Sequence, residues 1–433
     1  MTPIEIGFVG VFVLFVLLFL GVPVGISMAL VGFVGFASIS GIMPALGLLR
    51  IVPYSTFSSY SLSVIPLFIL MGNFAFHSGL SSALYTTARS WLGRLRGGLG
   101  ISTVAACAAF AACSGSSVAT AATMGKIAIP EMKKYHYDDG LSTGTLAAGG
   151  TIGILIPPSV ILIIYGVLTE QSIGKLFLAG FIPGILEALF YMVTIYMLCT
   201  FNRKLGPPGP TTTLREKLVS LKDSWGVLAI FLLVIGGIYF GIFSPIEAAG
   251  IGAFGTFLFG LLRRKLGWRQ FKRSLVDSTQ TAAMIFLIML GASIFGYFLT
   301  VSGLPSALAD FMTGLPVNKY VILLMVLIFY ILLGCVMDTM AMVLITVPIF
   351  YPLMTKLGFN PIWFGIIVVR IAEIGMITPP VGMNLYVIKG VAPDVPMGTI
   401  FKGVLPFVAA DVLHVVLLVS VPALALFLPE LMH

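Results

Sequence analysis

Two clusters of small, hydroxyl-bearing and helix-breaking residues stand out in an otherwise apolar chain. The first joins Ser114, Gly115, Ser116, Ser117 and Thr120 to the run 149–159, GGTIGILIPPS. The second joins Met337, Asp338 and Thr339 to the run 373–384, EIGMITPPVGMN. In each, a glycine (Gly153, Gly375) stands four residues before a Pro-Pro pair. Proline removes a backbone donor and pushes the preceding residue out of the helical region, so each helix must break there. Carbonyls freed at such a break, with nearby hydroxyls, form an oxygen cage suited to a hard cation such as Na⁺. The half-helix restarting after Pro158 or Pro380 presents N–H groups that favour an anion. One such break alone reads equally well as a proline kink packed on its neighbour. Two at equivalent places weigh against that reading.

Other ionisable residues are sparse. Arg370 and Glu373, three apart, are spaced to pair along one helix face. Asp338 suits either a cation ligand or a helix cap. Asp411 and His414 are spaced to hydrogen-bond, and Glu247 has no evident role. The four cysteines, Cys107, Cys113, Cys199 and Cys335, lie in apolar or small-residue segments without metal-ligand spacing and read as packing residues. No HExxH, GxSxG or GxxxxGK[ST] sequence is present, so neither hydrolytic chemistry nor ATP use has support.

The elements that must hold these clusters are membrane helices. The chain has 433 residues, 59% hydrophobic and 9% charged, with mean hydropathy +1.10. Soluble proteins carry about 25% charged residues. The net charge of +8 sits in short loops and is no nucleic-acid signature. No cleavable signal peptide is expected, since residues 1–5 lack a basic region. Segment 113–158 recurs without a gap 222 residues later as 335–380, with ten of 46 positions identical, including both Pro-Pro pairs. SGLSSAL at 78–84 returns as SGLPSAL at 302–308. We therefore expect an all-α polytopic protein of two repeats, 1–202 and 225–433, joined by an amphipathic connector at 203–224. That connector holds the stiff turn 206–210 and a short helix over 214–223. The runs 98–130 and 320–354 are too long for one span and polar at their middles, which suits re-entrant hairpins; two full spans each are the plainer alternative. Broken helices are expected at 143–168 and 362–392, and interfacial helices at 263–277 and at 41–60, where a solvated loop reads nearly as well.

Charge placement sets orientation. Basic residues gather at 89–96, 126–134, 203–222 and 263–273, which are read as cytoplasmic. Their repeat counterparts at 311–318, 348–356 and 41–51 are nearly free of them. Equivalent loops then lie on opposite sides, making the repeats inverted. Hairpin 98–130 opens inward, 320–354 opens outward, and both termini fall outside.

The motifs FAACSGSSVATAATMG (110–125), GGTIGILIPPS (149–159) and AEIGMITPPVGMNLYV (372–387) closely resemble the large membrane subunit of tripartite ATP-independent periplasmic (TRAP) transporters. The resemblance covers essentially the whole chain. It implies an elevator-type, Na⁺-coupled importer in a bacterial inner membrane. Such a subunit works with a separate small four-helix membrane subunit and a periplasmic binding protein that delivers a small organic acid anion. It further implies Na⁺ held around Ser114, Ser117, Gly150, Gly153 and Pro157, and around Met337, Gly375, Thr378 and Met383. Substrate is then expected between the hairpin tips and the breaks, near Ser116, Thr120, Ser159, Thr339, Pro380 and Asn384. Ala372 departs from the Asn that precedes Glu-Ile-Gly in many relatives; a backbone cage is indifferent to that change. A stand-alone ion-coupled anion symporter of the same architecture is the alternative, and a membrane enzyme or channel has no motif behind it.

Overall fold

The computed structural model describes residues 1–209 and 211–432, and among these every regular element is helical. The chain opens with α1 (Pro3–Phe19), α2 (Val24–Ser40), α3 (Ile42–Phe57) and, after a 3-10 turn at Tyr60–Ser63, α4 (Val64–His77). Then come α5 (Leu80–Leu92), α6 (Gly98–Ser114), α7 (Ser117–Lys134), α8 (Asp139–Leu155), α9 (Val160–Thr169) and α10 (Ile173–Phe201). The second half runs α11 (Leu214–Tyr239), α12 (Pro245–Leu262), α13 (Trp268–Ser302), α14 (Leu304–Thr313) and α15 (Lys319–Gly334). It ends with α16 (Thr339–Lys356), α17 (Pro361–Ile377), α18 (Met383–Val391), α19 (Met397–Ser420) and α20 (Ala423–Leu431). Six helices among the described residues are long and apolar enough to cross a membrane, or eight if each bent pair is one span.

Both runs expected as hairpins are helix pairs. Residues 98–130 fall in α6 and α7, which part over Gly115 and Ser116; Gly115 takes φ +58, a conformation that favours glycine. The run 320–354 falls in α15 and α16, parted by residues 335–338. Both broken helices are present too. The first breaks between Leu155 and Val160 with a 42° bend, and the second between Ile377 and Met383. Side chains restart three of these half-helices: Ser116 accepts from the Ala119 N–H, Ser159 from that of Leu162, and Asp338 from those of Met340 and Ala341. Asp338 is therefore a helix cap. Glu247 gains a role as well, completing a capping box with Ser244 at the start of α12.

One expectation changes. The run 263–277 is not a separate interfacial helix, because from Trp268 it continues unbroken into the 35-residue α13. The connector helix expected at 214–223 forms the first part of α11, whose residues 214–222 bend by 55° from 224–239. The expected turn at 206–210 includes Pro210, which lies outside the described residues.

Packing across the two halves is reciprocal. At the repeat offset α2 corresponds to α12 and α4 to α13, and α2 packs on α13 while α12 packs on α4. In the same way α8 packs on α19 and α17 on α10; α9 packs on α16 and α18 on α7. Small residues set these distances. A Cβ on Gly32 of α2 would lie 2.7 Å from the Phe295 nitrogen of α13, and one on Gly144 of α8 would lie 2.2 Å from the Gly403 oxygen of α19. Apolar helices in lipid gain by this close van der Waals approach.

Candidate functional site

The first hairpin tip lies against the first broken helix. A Cβ on Gly150 would meet the Ser117 carbonyl oxygen at 3.0 Å. One on Gly153 would meet Thr120 Oγ1 at 3.0 Å and the Ser116 carbonyl oxygen at 3.2 Å. Absent side chains at 150 and 153 thus leave oxygens of the tip facing the α8 backbone. The hydroxyls of Ser114 and Thr120 stand 2.7 Å apart, and Thr120 also donates to the Ser116 carbonyl at 2.8 Å. A Cβ on Gly115 would fall 2.9 Å from the Pro158 oxygen, so the tip also touches the Pro-Pro break beside Pro157. Ser114, Ser116, Ser117, Thr120, Gly150 and Gly153 are therefore brought together.

The second tip differs in detail. Gly375 rests against α15, where its Cβ would lie 2.6 Å from the Gly334 Cα. Gly382, with φ +59, donates its N–H to the Cys335 carbonyl at 3.3 Å and joins the tip to the break. The carbonyl oxygens of Met376 and Thr378 both lie 3.1 Å from where a Gly382 Cβ would stand, an oxygen-lined bend just before Met383. The Thr378 hydroxyl donates to the Ile374 carbonyl at 2.6 Å.

Between the tips lies a cavity of about 760 Å³. Ser114, Ser116, Ser117, Thr339 and Met383 line it, along with Asp338, Met376 and helix surfaces from α2, α4 and α13. Its described lining contains no Lys, Arg or His. Other expected residues sit elsewhere. Thr120 and Ser159 are wholly buried in their own hydrogen bonds, Asn384 is wholly buried with neither amide atom partnered, and Pro380 is exposed. Met337 packs on the core rather than on the cavity.

The family model for "Tripartite ATP-independent periplasmic transporter, DctM component" matches residues 11–424. The chain belongs to this family. Its relatives include the "C4-dicarboxylate TRAP transporter large permease protein DctM" of Pseudomonas aeruginosa, 38% identical over 88% of this chain and 89% of that one. The "Sialic acid TRAP transporter large permease protein SiaM" of Vibrio cholerae is 34% identical over 96% of each chain. Among solved structures, the Alcanivorax borkumensis YdaH transporter superposes with TM-score 0.66 at 16% identity, over 87% of this chain and 88% of that one, and so shares the fold. The protein is thus a TRAP large permease subunit, a multi-pass inner-membrane transporter protein and not an enzyme.

This TRAP permease also holds a buried ionic cluster that sequence reasoning misassembled. Arg370 does not pair with Glu373. Its guanidinium donates to Glu187 Oε1 of α10 at 2.9 Å, to Asp411 of α19, to His414 Nδ1 at 3.1 Å and to the Tyr191 hydroxyl at 3.4 Å. Thr151 of α8, between Gly150 and Gly153, donates to Glu187 Oε1 at 2.9 Å. Asp411 and His414 thus meet at Arg370. Glu187 and Tyr191 were missed, although Glu187 announces itself as the one acid in the 29-residue apolar α10.

Proposed function

We propose that this TRAP permease imports a small organic acid anion into a bacterial cell, driven by Na⁺. It works with a separate small four-helix membrane subunit in the bilayer and a periplasmic binding protein. The observation that carries this reading is the cavity between the hairpin tips, whose described lining offers hydroxyls, backbone, apolar side chains and Asp338 but no basic side chain. An anion entering it needs positive charge, and co-transported Na⁺ in the oxygen-lined bends beside it supplies that charge. Relatives named for C4-dicarboxylate and sialic acid transport support a carboxylate cargo. The two cages are Ser114, Ser117, Gly150, Gly153 and Pro157, and Met337, Gly375, Thr378 and Met383. The anion lies between them, near Ser116 and Thr339.

The two halves act as inverted repeats, with both termini periplasmic. The reciprocal packing of the halves supports this reading, as do matching breaks in each. Helices α6–α10 and α15–α19 carry the site and move as an elevator against α1–α4 and α11–α13, with α5 and α14 as connecting arms.

The test is uptake of labelled acids into proteoliposomes holding both membrane subunits, with binding protein, under imposed Na⁺, H⁺ or K⁺ gradients. Uptake is expected only with inward Na⁺. Thr378→Val, which keeps shape and deletes an oxygen, should raise the Na⁺ concentration required. Equal uptake on a proton gradient without Na⁺, with an unchanged Na⁺ response in Thr378→Val, refutes the ion assignment.

A further inference from the structure

Glu373 belongs to neither proposed cage. It is wholly buried on α17, and its Oε1 accepts from the Thr339 hydroxyl at 2.6 Å. Its Oε2 is buried without a hydrogen-bond partner among the described residues. Arg370, one turn away, spends its donors on Glu187, Asp411, His414 and Tyr191. Glu373 therefore forms no ion pair among the described residues, and a buried carboxylate without one is strongly disfavoured. Its neighbours are oxygens from both hairpin tips. The Thr339 hydroxyl begins α16, and that of Ser117 begins α7 and reaches toward the same carboxyl. Both hydroxyls also lie against the Met376 sulfur, at 2.9 Å and 4.0 Å.

The position is distinct from both cages. Residues two apart on a helix point about 200° apart, so while Gly375 faces Gly334 of α15, Glu373 faces the tips. Ser117 is two-sided: its carbonyl oxygen faces Gly150, and its hydroxyl faces Met376. Ser117, Thr339 and Met376 all line the large cavity, which gives a small ion a route in.

We infer that Glu373, Thr339 and Ser117 form a third seat for Na⁺, clamped between the two hairpin tips. A carboxylate with two hydroxyls is a hard oxygen donor set, and the ion supplies the charge that Glu373 lacks. Because its ligands come from α7, α16 and α17, its binding draws the tips together over the anion. This inference rests on the Na⁺-coupled reading above.

The experiment counts radioactive Na⁺ carried per labelled anion in proteoliposomes with both membrane subunits and binding protein. Glu373→Gln, isosteric and neutral, is expected to carry one Na⁺ fewer than the wild type. An unchanged count in Glu373→Gln beside a Na⁺-carrying wild type overturns the third seat alone. A wild type that carries no Na⁺ overturns the coupled reading itself. Where Glu373→Gln does not transport, melting of the purified two-subunit complex in NaCl against choline chloride reads the same ion. The expected result is a melting temperature in choline at or above that of the wild type and a smaller, shallower rise with Na⁺. A full wild-type rise, or equal loss of melting temperature in both salts, overturns the seat. Thr339→Val should raise the half-saturating Na⁺ concentration on the order of tenfold, the scale of one lost charge-assisted contact; an unchanged value counts against it.

Discussion

Glycine does different work at its two repeated positions. At Gly153 an added Cβ would meet the Thr120 hydroxyl at 3.0 Å and the Ser116 carbonyl oxygen at 3.2 Å, contacts that a shift of a few tenths of an ångström relieves. At Gly375 it would meet the Gly334 Cα at 2.6 Å, and backbone cannot turn aside. Gly375→Ala should therefore lower the melting temperature of the purified protein, by overpacking worth about 1–3 kcal/mol. Gly153→Ala should leave melting closer to wild type and act mainly by raising the Na⁺ concentration for half-maximal uptake. Equal melting losses in the two variants would show that the α15–α17 contact is no tighter than the α7–α8 contact. Both glycines are legible in the sequence, because a glycine four residues before Pro-Pro is a rule about backbone. What each faces is not, since Gly334 and Thr120 come from different arms of their hairpins.

At the scale of elements, the breaks were readable and the ion pairs were not. Helix breaks follow from Pro157, Pro158, Pro379, Pro380 and the small residues at 114–117, whose effects act within a turn of their own positions. Arg370 shows the opposite case. Its spacing to Glu373 favours a pair along one helix, but its partners Glu187 and Asp411 lie 183 and 41 residues away. Helix packing inside the membrane, not spacing along the chain, decides which carboxylate reaches a guanidinium. The cluster binds α8, α10, α17 and α19 into one body, and Thr151 brings it to the edge of the first cage. Arg370→Met removes the guanidinium that these groups share and strands two buried carboxylates, a loss of about 3–5 kcal/mol. Scanning fluorimetry should show that fall, and the triple variant Glu187→Gln, Arg370→Met, Asp411→Asn should recover most of it. A triple variant no more stable than Arg370→Met would mean that packing around Arg370, rather than charge balance, holds these helices.

For the whole molecule, the proposed inverted arrangement makes a prediction of membrane topology that can be measured. The second arm of each hairpin is tied to its connecting helix by an ion pair of opposite polarity: Arg89 of α5 to Glu131 of α7 at 2.7 Å, and Asp310 of α14 to Lys356 of α16. Inverted halves put these two ties on opposite faces of the bilayer. The basic side chains of 89–96 then remain in the cytoplasm, while the equivalent loop near 311–318 faces out with almost no positive charge, as translocation favours. Cysteine labelling can separate the faces cleanly, because all four native cysteines are buried and the wild-type chain should react little. Arg94 and Pro316 are exposed in the two loops. In intact cells, Pro316→Cys should react with a membrane-impermeant maleimide, whereas Arg94→Cys should react only after the inner membrane is opened. Labelling of both from one side would defeat the inverted arrangement. The elevator would fall with it, because the exchange of access between two hairpins requires that they open to opposite faces.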